Sequence, residues 1–148
     1  MKNEIKTIEP VSSVSMRLVK SEDLNHHGTL FAGRTAEWFV ESGFIAATSI
    51  LDPQHIVCLK LHGMQFTQPV KPGEIIQFKS KIVYTGKTSI FAHVKAKRQH
   101  IDEPFVQGFI TFIHVDENTN SKPHYIEIKP VTEKDFHLYE EAKMLKSK

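Results

Sequence analysis

Apolar and polar side chains alternate along Ser13–Val19 (SVSMRLV). Val14, Met16 and Leu18 fall on one side of an extended chain, the pattern of a half-buried strand. Lys20–Gly28 is polar and predicts a loop. The period then changes. Over Gly33–Ile50, Ala36, Phe39, Val40, Gly43, Phe44 and Ala47 recur at helical spacing, while Arg34, Glu37 and Glu41 lie on another side. This predicts one long amphipathic helix, ended at Asp52-Pro53. Its face is rich in small residues (Ala36, Gly43, Ala46, Ala47), which lets a helix sit close to a sheet. Four β-rich runs follow: Ile56–Gln68, Glu74–Tyr84, Thr88–Arg98 and Phe105–Val115. Ile76, Phe78, Ile82 and Tyr84 share one face of the second run; Ile90, Ala92, Val94 and Ala96 share one face of the third. Turns at Lys71-Pro72-Gly73, Thr85-Gly86-Lys87 and Asp102-Glu103-Pro104 are short, so antiparallel pairing is expected. Thr132–Lys146 predicts a C-terminal helix, with Thr132 as N-cap, Asp135 in its first turn, and Phe136, Tyr139 and Leu145 as its apolar members.

One sheet curled around one apolar helix buries both, which makes the fold class α+β. A single helix covers only part of such a sheet, and long strand edges invite pairing, so a dimer is expected. Composition acts mainly by exclusion. The 148 residues, 40% hydrophobic and 24% charged, suit a single domain spanning 1–148. Nineteen Lys+Arg against 17 Asp+Glu give no bulk charge for nucleic-acid binding. Cys58 stands alone, which excludes an internal disulfide framework and fits a reducing compartment; it is expected to face the core as a small hydrophobe. The N-terminus MKNEIKTIEP has no apolar signal region, and no stretch is long enough to cross a bilayer. A cytoplasmic location without membrane attachment is the expectation. The nine histidines show no H-E-x-x-H or H-x-H spacing, so no metal is expected.

Three segments carry a resemblance. Asn25-His26-His27-Gly28-Thr29-Leu30-Phe31-Ala32-Gly33 resembles an N-x-x-G loop leading into a glycine-rich helix start. Gly63-Met64-Gln65-Phe66-Thr67-Gln68-Pro69-Val70-Lys71-Pro72-Gly73-Glu74 resembles a G-M-x-F-x-x-P-V-x-x-G-[DE] strand and turn. Gly86-Lys87-Thr88-Ser89 resembles a G-x-T-S turn. In this order and spacing they are similar to the hotdog-fold acyl-CoA thioesterases, in particular the bacterial short-chain and brain-type acyl-CoA hydrolases. The likeness covers roughly residues 12–116, leaving 130–148 as a helical tail. It implies an antiparallel sheet wrapped around one long central helix, a homodimer with tetramer or hexamer as larger forms, and hydrolysis of acyl-CoA to free acid and CoA without a separate cofactor. Two positions depart from the pattern. Ala32-Gly33 replaces a glycine pair, and the helix Asp of the family aligns with Val40, one residue before Glu41. One residue turns a helix by about 100°.

Within that resemblance, Glu41 is the expected base or nucleophile and Asn25 the group that orients water or carbonyl. The first-turn amides at Gly33 and Arg34 are the expected oxyanion donors. Arg34 and the turn Lys87-Thr88-Ser89 are the expected holders of the CoA phosphates. The pairing of Asn25 with Glu41 is expected across two copies. Two alternatives stand beside hydrolysis: an acyl-CoA-binding sensor without catalysis, and a hydratase or dehydratase acting on acyl thioesters.

Overall fold

The computed structural model describes residues 4–146. Residues 1–3 and 147–148, which the sequence reading includes in its domain and tail, lie outside the described residues. The chain forms β1 (Lys6–Ile8), β2 (Ser13–Leu18), α1 (Ala32–Thr48), β3 (Ile56–His62), β4 (Ile75–Thr85), β5 (Ser89–Arg98), β6 (Val106–His114), β7 (Ile126–Ile128) and α2 (Glu133–Lys146). Five strands make one antiparallel sheet in the order β2-β4-β5-β6-β3. The short strands β1 and β7 form a separate parallel pair that the hydrophobic pattern did not predict.

α1 lies along one face of the sheet. Trp38 meets Phe78 edge to face, and Ser80 donates to the Ser42 carbonyl at 2.8 Å. Ile90, Ala92, Val94 and Ala96 are all buried in this core, as their spacing predicts. The helix can approach because Gly43 has no side chain: a Cβ there would stand 2.6 Å from Ile110 and 3.3 Å from Val94. The buried stripe of α1 runs through Thr35, Trp38, Phe39, Ser42, Gly43, Ala46 and Ala47. Ala36, Val40 and Phe44, expected in the centre of that face, are half-buried at its border.

α2 covers the opposite face. Thr132 and Asp135 cap it reciprocally, the Thr132 hydroxyl accepting the Asp135 amide at 3.0 Å and the Asp135 carboxylate accepting the Thr132 amide at 3.3 Å. Leu138 and Ala142 are buried against Val83, Tyr84, Phe91 and Phe109, with Tyr139 and Leu145 packed beside them. Phe136, expected among the packing residues, points to solvent.

Other expectations fail for local reasons. A register shift in β4 between Ile82 and Tyr84 turns Tyr84 onto the α2 face, away from Ile76, Phe78 and Ile82. β3 ends at His62 rather than Gln68, because Gly63 takes a positive φ of 69° and the chain leaves the sheet. β2 runs in the opposite phase. Val14, Met16 and Leu18 are exposed, while Ser13, Ser15 and Arg17 face the α1 side, opposite Ser80, Phe78 and Ile76. Cys58 is exposed on edge strand β3 and does not face the core. Among the described residues, no helix is long and apolar enough to cross a membrane.

Candidate active site

The loop before α1 is built by Asn25. Its side-chain oxygen accepts the amides of His27 at 2.8 Å and Thr29 at 3.2 Å, and its Nδ2 donates to the Thr29 hydroxyl at 3.1 Å. Gly28, at φ 78°, turns the chain back so that the Asn25 amide reaches the Thr29 carbonyl at 2.8 Å. Leu30 then bonds to Val70 and Phe31 to the Asp23 carbonyl, which delivers the chain to the start of α1.

Phe31 is the N-cap residue, and its side chain supplies no hydrogen bond to the helix. The amides of Arg34 and Thr35 both turn to the Phe31 carbonyl, at 3.0 and 3.1 Å. This leaves Ala32 and Gly33 as the open first-turn donors. The pair expected from sequence was Gly33 and Arg34, so the open edge sits one residue earlier. Gly33 has a further reason to be glycine. A Cβ there would come within 2.5 Å of the Phe31 ring, which leans over the helix start.

Arg34 is committed elsewhere. Its Nε lies 3.1 Å from the buried Asp23 carboxylate, one terminal nitrogen bonds Glu37 at 3.1 Å, and the other reaches the Glu22 carbonyl at 3.4 Å. The side chain thus ties the preceding turn to the helix rather than facing outward as a free phosphate clamp.

Glu41 lies two turns further on, with its side chain 53% exposed. Arg17 of β2 pairs with its carboxylate, and the Arg17 guanidinium sits 5.2 Å from the Trp38 ring centre. Arg17 was absent from the residues singled out by sequence, because the apolar alternation of β2 marks Val14, Met16 and Leu18, the side that proves exposed, and Arg17 lies on the other side. No hydrogen bond or ion pair joins Asn25 to Glu41 within the chain among the described residues.

The Lys87-Thr88-Ser89 turn lies at the other end. α1 runs alongside β4, so its N-terminus stands near the beginning of that strand and the β4–β5 turn near its own C-terminus. Seventeen residues at 1.5 Å each separate these ends by roughly 25 Å. Ser89 is buried, and its carbonyl accepts from His124 and from the Gly86 amide. A recess of about 390 Å³ beside Lys87 is lined also by Tyr125 and Glu127.

The histidines have structural partners. His62 Nε2 lies 2.7 Å from the Thr111 hydroxyl and its ring stacks on Phe91, on the face away from α1. His55, His114 and His124 each bond a backbone carbonyl. No group of three potential metal ligands is placed to hold an ion among the described residues.

Residues 27–105 match the family model described as "Thioesterase superfamily". A curated relative from Bacillus subtilis, the uncharacterized acyl-CoA thioester hydrolase YkhA, is 24% identical over 124 residues, 81% of this chain and 71% of the relative. Among solved structures, an apo-hexameric acyl-CoA thioesterase superposes with a TM-score of 0.87 at 25% identity, over 97% of this chain and 94% of that one. An acyl-CoA hydrolase from Staphylococcus aureus, solved in complex with butyryl coenzyme A, coenzyme A and coenzyme A disulfide, gives 0.80 at 22%, over 95% and 85%. A hexameric hotdog-fold thioesterase of Campylobacter jejuni gives 0.65 at 23%, over 85% and 94%. The fold is therefore the hotdog fold that the three sequence segments pointed to.

Proposed function

This chain belongs to the thioesterase superfamily, and from that membership we propose that it hydrolyses acyl-CoA thioesters to a free carboxylic acid and CoA, working as a dimer or a larger assembly of copies. The observation that carries this reading is the α1 start, where the Ala32 and Gly33 amides stand open at the tip of the central helix. The chemistry follows from that edge. The thioester carbonyl oxygen takes the two amides, whose charge preference is reinforced by the helix dipole. Glu41 removes a proton from water as the water oxygen adds to the acyl carbon, and the negative charge moves onto the carbonyl oxygen. The C–S bond then breaks, the acid leaves, and the CoA sulfur takes up the proton. In the nucleophile variant, the Glu41 carboxylate adds to the acyl carbon and expels the CoA thiolate, and water then cleaves the resulting anhydride to release the acid and restore the carboxylate.

A second copy supplies what one chain leaves apart. β3 is an edge strand with Val57, Leu59 and Leu61 exposed. Antiparallel pairing of two such edges reverses one copy end for end. The Lys87-Thr88-Ser89 turn of one copy then comes to the same end as the Gly33 tip of the other, where it can take CoA phosphate. Glu41, held by Arg17 of β2, sits at the opposite edge of the sheet, so its meeting with Asn25 of another copy needs a contact other than this one. The Arg17–Glu41 pair favours the sensor as a second reading, since that carboxylate is already occupied.

Thiol release measured over acetyl- to palmitoyl-CoA decides between them. Wild type is expected to turn over, and Glu41→Gln to lose on the order of 10²-fold in rate, the scale of a lost general base. Wild-type protein that binds acyl-CoA in a calorimeter yet frees no thiol would leave the sensor. Full turnover in Glu41→Gln would remove Glu41 from the mechanism.

A further inference from the structure

The sheet face turned away from α1 carries a second concavity. α2 crosses that face but fills only part of it, leaving a groove of about 790 Å³. Along α2 the lining runs from Lys134 through Leu138, with His137 and Glu141 paired at 3.7 Å, to Met144 and Leu145. The strand register sets the floor. One cross-strand row reads Lys79, Lys95, Gln107, and the next reads Lys81, His93, Phe109.

This arrangement concentrates positive charge. Lys81 is neutralised by Asp135 at 2.6 Å, the one ion pair formed by these four lysines among the described residues. Lys79 stands directly across from Lys95, and like charges at that spacing repel. The Lys134 ammonium approaches Lys95 from α2, and with burial and the neighbouring lysines it lowers the Lys95 pKa to about 8. His93 beneath them is buried, and its Nε2 donates to Gln107 Oε1 at 3.3 Å. Lys95 and Lys134 line the groove, with Lys79 in an adjoining recess, and two ammonium groups held this close are relieved by an anion placed between them.

We infer that this groove binds a phosphate-bearing ligand, its phosphates held by Lys95 and Lys134 and its apolar or aromatic portion lying along Leu138 and Met144. Ammonium groups suit phosphate as point charges, and the Gln107 amide adds a directional donor. The same chemistry is offered by a free nucleotide and by the nucleotide tail of CoA. The groove stands apart from the Gly33 tip, on the other face of the sheet, and its assignment does not rest on the hydrolase reading.

Calorimetric titration of the full chain with pyrophosphate and with ADP tests it, using Lys95→Gln, Lys134→Gln, the double variant, and Lys71→Gln as a control on an unrelated turn. Melting curves establish that each variant is folded. ADP is expected to bind more tightly than pyrophosphate, each single variant to bind at least about ten-fold more weakly, the scale of one lost charge-assisted hydrogen bond, and Lys71→Gln to match wild type. Absence of binding to wild type, or equal binding by the double variant, overturns the assignment. Turnover then separates the two sources. If the ligand is the substrate's own tail, the double variant raises KM for acyl-CoA and leaves an acyl-pantetheine substrate unaffected. If it is a separate nucleotide, KM for both substrates is unchanged and ADP alters the rate of wild type alone. A chain that binds ADP here and hydrolyses nothing would retain the groove and refute the proposed hydrolysis.

Discussion

In the proposed mechanism Asn25 has two roles that one substitution can separate. Its oxygen holds the loop, while its Nδ2, which already gives one hydrogen to the Thr29 hydroxyl, would offer the other to water or a carbonyl. Asn25→Asp keeps the acceptor and loses the donor. Melting is expected to change by no more than about 1 kcal/mol, the usual worth of one hydrogen bond, while thiol release falls sharply. An unchanged rate in Asn25→Asp would reduce the residue to a loop builder. Asn25, Gly33 and Glu41 could be proposed from the sequence because the first two lie in a contiguous motif and the third sits in a regular helix. Arg17 could not, because its role depends on which face of β2 meets the helix. A strand shows its alternation in sequence but not its phase, since exposed apolar residues can serve another chain. Arg34 was misread for a related reason: the buried Asp23 that binds it precedes it by eleven residues and lies outside any helical spacing.

At the scale of elements, the small-residue stripe of α1 sets how close the helix lies to β5 and β6. Gly43→Ala forces Ile110 or the helix to move, since the added methyl would stand 2.6 Å from the Ile110 side chain. Urea titration is expected to show a loss of about 1–3 kcal/mol, the range for an overfilled core, with the same slope as wild type. Wild-type stability in this variant would mean that the stripe is not under close-packing constraint. Strand identities followed from β-branched and aromatic runs, and the turns from Pro and Gly. The irregularities did not. The shift in β4 before Tyr84 leaves no mark in the hydrophobic pattern, because Val83 and Tyr84 read equally well on either face. The β1–β7 pair joins two three-residue segments about 120 positions apart, too short for any period and too distant for a turn.

For the molecule as a whole, β3 and β2 are both edges, and both expose apolar residues. Leu59, 63% exposed at the β3 register shift, is a natural place to interrupt edge pairing. Leu59→Lys is expected to yield monomers in sedimentation and to abolish thiol release together, because charge on an edge opposes pairing. A monomer retaining full activity would refute a site shared between copies. Acid stability follows from His93. Burial is the main cause that lowers its pKa from 6.5 to about 4, outweighing the Gln107 bond, and the lysines Lys95, Lys134 and Lys81 push the same way as burial. Above pH 6.5 the ring is neutral folded or unfolded, and contributes nothing to pH dependence. Between 6.5 and 4 the unfolded chain binds a proton that the folded one excludes, so stability falls as pH falls, by up to about 3 kcal/mol. Equilibrium unfolding at stepped pH is expected to show this slope in wild type and a shallower one in His93→Gln.

The parallel clasp of Lys6–Ile8 on Ile126–Ile128 has an effect on how the protein comes apart. Ile128 is seated in the helix-side core, Thr85 donates to the Ile126 carbonyl at 2.8 Å, and α2 begins five residues after β7. Clipping the chain ahead of residue 9 would unfasten this seam, so amide protons of α2 should exchange with deuterium far sooner, while those of α1 keep their native protection. The cover over one side of the sheet could then loosen and reseat without unfolding the body beneath it.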